Sequence, residues 1–210
     1  EVLDLSGCSE LKSIQGFPRN LKELYLVGAA VTKLPPLPRS IEVLNAHGCM
    51  SLVSIPFGFE RLPRYYTFSN CFALYAQEVR EFVANGLANI ERIAREHQRE
   101  LKKSLAFSFT VPSAVSKNFT CDLQPGSSVM IQLGSSWRTT LGFAVLVELS
   151  FLEDYQEATG FGITCVCRWK DNEFVSHRLE KSFHCWNPED GVPKDHMFVF
   201  CDLNMHRSTC

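Results

Sequence analysis

Within one region of the second half of the chain lie six residues with the atoms needed for metal binding or nucleophilic chemistry: Cys165, Cys167, His177, His184, Cys185 and His196. A Cys-x-Cys pair on a strand places both sulfurs on one face, but zinc sites draw more often on Cys-x-x-Cys or on a His pair one helical turn apart. Cys185 and His196 offer the elements of a thiol nucleophile and its base, yet nothing around them marks an activated thiol or an oxyanion hole. No glycine-rich phosphate loop with a following Lys occurs. These residues are therefore read as core cysteines and surface histidines, with no catalytic residue, no metal and no cofactor expected.

Bulk composition points the same way. The chain has 210 residues, 45% hydrophobic and 21% charged, enough for one or two cores, and disorder is not expected. A net charge of -2 supplies no general drive toward nucleic acid or an anionic membrane, and no apolar run is long enough to span a bilayer. Partners are expected to be met through shape and local patches. Nine cysteines, an odd number with several at apolar strand positions, read as free thiols in a reducing compartment. The Asn118-Phe119-Thr120 sequon favours the alternative, an extracellular repeat receptor or carbohydrate-binding sandwich in which Trp137, Trp169 or Trp186 stacks on sugar. The sequence opens at Glu1 with neither an initiator Met nor a signal segment, so it is expected to be part of something larger.

Whatever the chain binds must be held by a scaffold, and the front of the sequence shows one. Leu3-x-Leu5-x-Gly7-Cys8 returns as Leu24-x-Leu26-x-Gly28-Ala29 and as Leu44-x-Ala46-x-Gly48-Cys49, so the glycines are separated by 21 and 20 residues. Leu11-x-x-Ile14, Val31-x-x-Leu34 and Leu52-x-x-Ile55 follow at a fixed offset. The period lies in the leucine-rich-repeat range, and prolines at 18, 35, 36, 38 and 56 exclude helix from the convex side. Residues 57 to 76 are expected to leave the repeat, becoming aromatic at Phe57, Phe59, Tyr65, Tyr66, Phe68 and Phe72 to cap the stack.

From about Ala73 to Lys103 the apolar residues Val79, Phe82, Val83, Leu87, Ile90, Ile93, Ala94 and Leu101 fall on one helical face, weakened or bent at Gly86. Its charges nearly cancel, which describes a solvated outer face rather than a basic helix for DNA or lipid. From Leu105 the period becomes two: Leu105 to Val111, Val129 to Leu133, Phe143 to Phe151, Phe161 to Trp169 and Met197 to Leu203 alternate. Strands without intervening helices predict an antiparallel sandwich. The fold expected is mixed: a short leucine-rich-repeat solenoid end at 1–56, a capping segment and linking helix at 57–103, and an all-β jelly-roll or Ig-like sandwich at 104–210.

The Gly-Cys repeat endings, Phe68-Ser69-Asn70-Cys71-Phe72, the block PGSSVMIQLGSSWRTTLGFAVLVELSF (125 to 151), CVCRWKDNEF (165 to 174) and DHMFVFCDL (195 to 203) together resemble the C-terminal region of plant TIR-type nucleotide-binding leucine-rich-repeat receptors. The resemblance covers nearly the whole chain. It implies a post-repeat C-terminal jelly-roll/Ig-like domain that works with the repeats to bind pathogen effectors and to restrain the receptor until one arrives. It also implies partners: an effector protein, the receptor's own upstream nucleotide-binding and TIR domains, and a paired receptor, in the cytoplasm or nucleus. The family's NAD-cleaving activity belongs to the TIR domain, so none is expected here. Where many relatives carry a Pro-Glu-Trp-Phe type segment, this chain reads VPSAVSKNFTCDLQ from Val111 to Gln124.

Residues between the inward leucines face the concave side of such a solenoid, which puts Asp4, Tyr25 and Asn45 in one row, flanked by Glu23, Val43, Val27 and His47. Tyr adds contact area there at small entropic cost. On the sandwich the loops are the candidates, Ser135-Ser136-Trp137-Arg138 and Glu153-Asp154-Tyr155-Gln156 first, then Asn187 to Asp195. The expected partner-binding residues are therefore Tyr25, Asn45, His47, Trp137, Arg138, Asp154, Tyr155 and Gln156.

Overall fold

The computed structural model describes residues 1–56, 64–100, 106–112, 143–149, 161–170, 176–186 and 195–202, with single positions at 126, 128 and 130. Three short strands, β1 (Val2–Asp4), β2 (Glu23–Tyr25) and β3 (Val43–Asn45), pair in parallel so that equivalent repeat positions are register partners. A fourth, β4 (Tyr65–Thr67), pairs with β3 in the same way. The stretch expected to leave the repeat thus returns to it at Tyr65. Tyr66 and Phe68 stand where Leu3 and Leu5 stand in the first unit, and Asn70 takes the place of Gly7. The period was hidden because aromatic rings replaced leucines.

The turn after each strand explains the Gly-Cys signature. Gly7, Gly28 and Gly48 have φ of 71°, 66° and 69°, and Asn70 follows with 59°. These are left-handed values that Gly adopts freely and Asn tolerates better than other side chains. The next residue closes the turn through its N–H, as in Ala29 to Leu26 O (2.9 Å) and Cys71 to Phe68 O (3.2 Å). The thiols of Cys49 and Cys71 then donate to Leu26 O and Ala46 O of the preceding unit, each at 3.0 Å. Burial pushes the Cys71 thiol well above its ordinary range, so it stays a neutral donor. On the opposite side of the stack Thr32, Val53 and Tyr75 donate in series to Lys12 O, Thr32 O and Val53 O.

Helix α1 (Ala76–Glu100) follows, within the span its apolar periodicity predicts. Val79, Phe82, Val83, Ile90 and Ala94 are buried in the main core. The helix is a crossover, because β5 (Ala106–Pro112) pairs in parallel with β4. Antiparallel β9 (His196–Asp202) and β6 (Phe143–Leu149) complete a seven-stranded sheet in the order β1-β2-β3-β4-β5-β9-β6. Repeat strands and alternating strands share one hydrogen-bonded sheet. A second sheet pairs β7 (Phe161–Lys170) with β8 (Ser176–Trp186). The alternation expected over Val129 to Leu133 lies outside the described residues. Among the described residues no helix is long and apolar enough to cross a membrane.

One register row crosses the large sheet as Leu3, Leu24, Leu44, Tyr66, Phe109, Val199 and Leu146, all apolar and all facing the main core. Helix α1 seals this face: the Phe82 ring meets Phe68 and Phe109 edge to face, at centroid distances of 5.3 and 5.2 Å. Gly86 has a purpose here beyond weakening the helix. A Cβ built on it would lie 3.0 and 3.1 Å from two carbons of the Phe109 ring. Since Phe82 holds that ring, Gly86→Ala is expected to destabilise by about 1 kcal/mol: the overpacking cost exceeds the gain in helix propensity. Urea denaturation of the two proteins measures it; a more stable variant would show that the ring yields.

Candidate interaction surface

The other face of the large sheet changes character along its length. Its central row runs Asp4, Tyr25, Asn45, Thr67, Thr110, Phe198 and Val147, polar at the β1 end and apolar at the β6 end. At the apolar end Phe198 and Phe200 are buried against Val145, Val147, Leu149 and, from the second sheet, Ile163 and Cys165. Val43, Thr67 and Thr110 are buried too. Among the described residues Val2, at 63% exposure, and Asp4 are exposed on this face, while Glu23, Tyr25, Asn45, Tyr65 and Ser108 are half-buried.

Within the row, most polar side chains are engaged in holding turns. Asp4 Oδ1 accepts the Ser6 N–H at 2.9 Å, Asn45 Oδ1 accepts the His47 N–H at 3.1 Å, and Thr67 Oγ1 accepts the Ser69 N–H at 3.2 Å. Each is an oxygen-to-i+2 bond of the kind Asx and Ser/Thr turns use. The bonds to Ser6 hold the Asp4 carboxyl below the usual carboxylate range, so it stays ionised. Tyr25 cannot make such a turn. Its hydroxyl donates instead to Glu23 Oε2 at 2.9 Å, and this bond, helped by partial burial, raises the phenol above its ordinary range. The open end of the face therefore carries an aromatic ring braced by one carboxylate and adjoined by another.

His47, placed on the flank of the row by its spacing, is 5% exposed, and its Nδ1 lies 2.7 Å from Ser69 Oγ. Ser69 Oγ in turn lies 2.9 Å from Thr67 Oγ1, so the imidazole belongs to a buried polar strip. Trp137, Arg138, Asp154, Tyr155 and Gln156 lie outside the described residues, as does the interval from Asn187 up to Asp195.

The Cys/His collection is spread out. Register places His177 opposite Trp169 and His184 opposite Gly162, near the two ends of the β7–β8 ribbon, while His196 stands in the other sheet. Among the described residues no group of three His, Cys, Asp or Glu could hold a metal ion. His196, read from sequence as a surface residue, is fully buried, and its Nε2 accepts the Asn70 N–H at 3.0 Å. A general base needs that lone pair, which this bond occupies. Sequence reasoning missed the pairing because 126 residues separate its members.

Known proteins extend the picture. The chain is similar to disease resistance protein RRS1B of Arabidopsis thaliana, at 52% identity over all of this chain and 17% of that protein. Disease resistance protein RRS1 from the same plant is 54% identical over all of this chain and 15% of its own length. Disease resistance protein LAZ5, also from Arabidopsis thaliana, is 25% identical over 86% of the chain. The chain thus spans only 15% to 17% of the length of the first two relatives. No family model matches it, and no solved structure does.

Proposed function

The chain belongs to the disease resistance proteins of plants, and on that premise we propose that it is a recognition segment of an intracellular immune receptor. Its repeats, linking helix and β-sandwich together read a pathogen effector, or hold the receptor's own nucleotide-binding and TIR domains inactive until one arrives; a paired receptor is a further partner. The observation that carries this reading is the braced pair Tyr25 and Glu23, half-buried on the sheet face opposite the fully buried Leu24, with the Tyr25 hydroxyl held on Glu23 Oε2 at 2.9 Å. A rigid backbone presenting an aromatic ring beside charged groups loses little entropy on binding a protein surface. Free thiols at Cys8, Cys49 and Cys71 suit a reducing compartment. The sandwich loops holding Trp137, Arg138, Asp154, Tyr155 and Gln156 form the second part of the proposed contact.

Calorimetry with candidate effector proteins and with the receptor's upstream domains tests the reading. Tyr25→Ala is expected to weaken the partner about tenfold or more, as loss of an interface aromatic does, while the thermal midpoint moves little. Absence of both effector binding and intramolecular docking would overturn the proposal.

A further inference from the structure

Each turn of the repeat stack sends one amide forward to the next strand. Gly7 N–H donates to Val27 O at 2.7 Å, Gly28 N–H to His47 O at 2.9 Å, and Gly48 N–H to Ser69 O at 2.9 Å. The fourth turn breaks the series. By register its acceptor would be the carbonyl of Pro112, the β5 residue that continues the row beyond Thr110. The Asn70 N–H bonds instead to Nε2 of His196, which the β5–β9 register places opposite Pro112. An imidazole nitrogen thus fills the position that a main-chain carbonyl fills three times before.

A carbonyl accepts at any pH, whereas an imidazole accepts only while neutral, since both nitrogens of His⁺ are donors. We propose that His196 is a proton-sensitive latch: neutral, it ties the last repeat turn to β9, and protonated, it lets that turn go. The groups around it match this role. The Phe72 ring lies 5.8 Å away edge to face and the Phe198 ring 6.5 Å away. Pro112 and Leu149 are its strand neighbours, apolar on both sides. Titratable groups on adjoining elements include His47, bonded to Ser69 of the last repeat turn, and Glu148, opposite Met197 on β6. On its own strand Asp195 precedes it, exposed.

The direction follows from proton counting. The unfolded chain takes up a proton at this His near the ordinary value of about 6.5, while the folded chain must break the Asn70 bond to do so. The stabilisation is present above that pH and is lost as pH falls below it.

The test compares the whole chain with His196→Gln, whose side-chain oxygen accepts at every pH, and with His47→Gln. Between about pH 7.5 and about pH 5, the Tm of the native sequence and of His47→Gln is expected to fall at least about 4 °C further than that of His196→Gln. Nitrogen NMR of the native chain near pH 7.5 should show Nε2 without a proton. The Asn70 amide should lose exchange protection, relative to the Gly48 amide, as pH drops. A protonated Nε2 near neutrality, a pH response equal in the native and His196→Gln chains, or a response removed by His47→Gln alone would each overturn the latch. The NMR measurements decide the matter should His196→Gln fail to fold.

Discussion

Phe82→Ala is expected to lower the unfolding free energy by about 3 to 5 kcal/mol, and to do so for both halves of the chain at once. The side chain is 1% exposed, and its ring is the middle member of the edge-to-face series Phe68, Phe82 and Phe109. Phe68 closes the last repeat strand and Phe109 lies on β5, so the helix contributes a ring that touches both. Removing it opens a cavity of roughly a benzene's size between parts that no longer share a contact there, and a close-packed interior does not refill such a space. Two probes separate the halves. The three tryptophans, Trp137, Trp169 and Trp186, all lie beyond residue 104, whereas far-ultraviolet circular dichroism reports α1. In urea both signals should shift together to a lower midpoint. A fluorescence midpoint that stays in place while the helical signal shifts would show two independent units.

Leu44→Ala is expected to cost about 2 to 5 kcal/mol, whereas the equivalent substitution at Leu3 costs about 1. Both leucines occupy the same position of the repeat and belong to the same register row. Leu44 is fully buried with β2 and β4 on either side, while Leu3 is only partly buried at the edge of the stack. In a repeat stack each unit contacts mainly its neighbours, so energy depends on how many sides are covered rather than on residue type. Urea midpoints of the two variants measure the ratio. Equal losses would mean that the edge strand is as constrained as the interior, against its exposure.

These leucines also show what sequence alone can reveal. The spacing of Leu3, Leu24 and Leu44 and the helical stripe from Val79 to Ala94 were legible because one residue type, or one period, repeats. β4 was not, since Tyr66, Phe68 and Asn70 fill the same positions with different chemistry. β8 escaped as well: Lys181 interrupts its alternation, and only pairing with β7 defines it as a strand. The row of Asp4, Tyr25 and Asn45 was legible as a row. What each member does was not, because a carboxylate bonded to Ser6 and an amide bonded to the His47 N–H look identical in sequence to free ones. The burial of His47 and His196 depends on contacts across 22 and 126 residues, beyond the reach of any local pattern.

The single imidazole that receives the Asn70 amide also sets where the protein can grow. Duplicating the unit from Lys22 to Glu42 reproduces both the Val27 carbonyl that accepts from the preceding turn and the Gly28 amide that donates to the next strand, so an inserted copy there finds a donor on one side and a carbonyl on the other. A copy spliced in after Asn70 would part that amide from β9 and strand the ring without its donor. Gain or loss of repeats, whether by recombination in a plant genome or by an engineer, is therefore expected on the side away from β9.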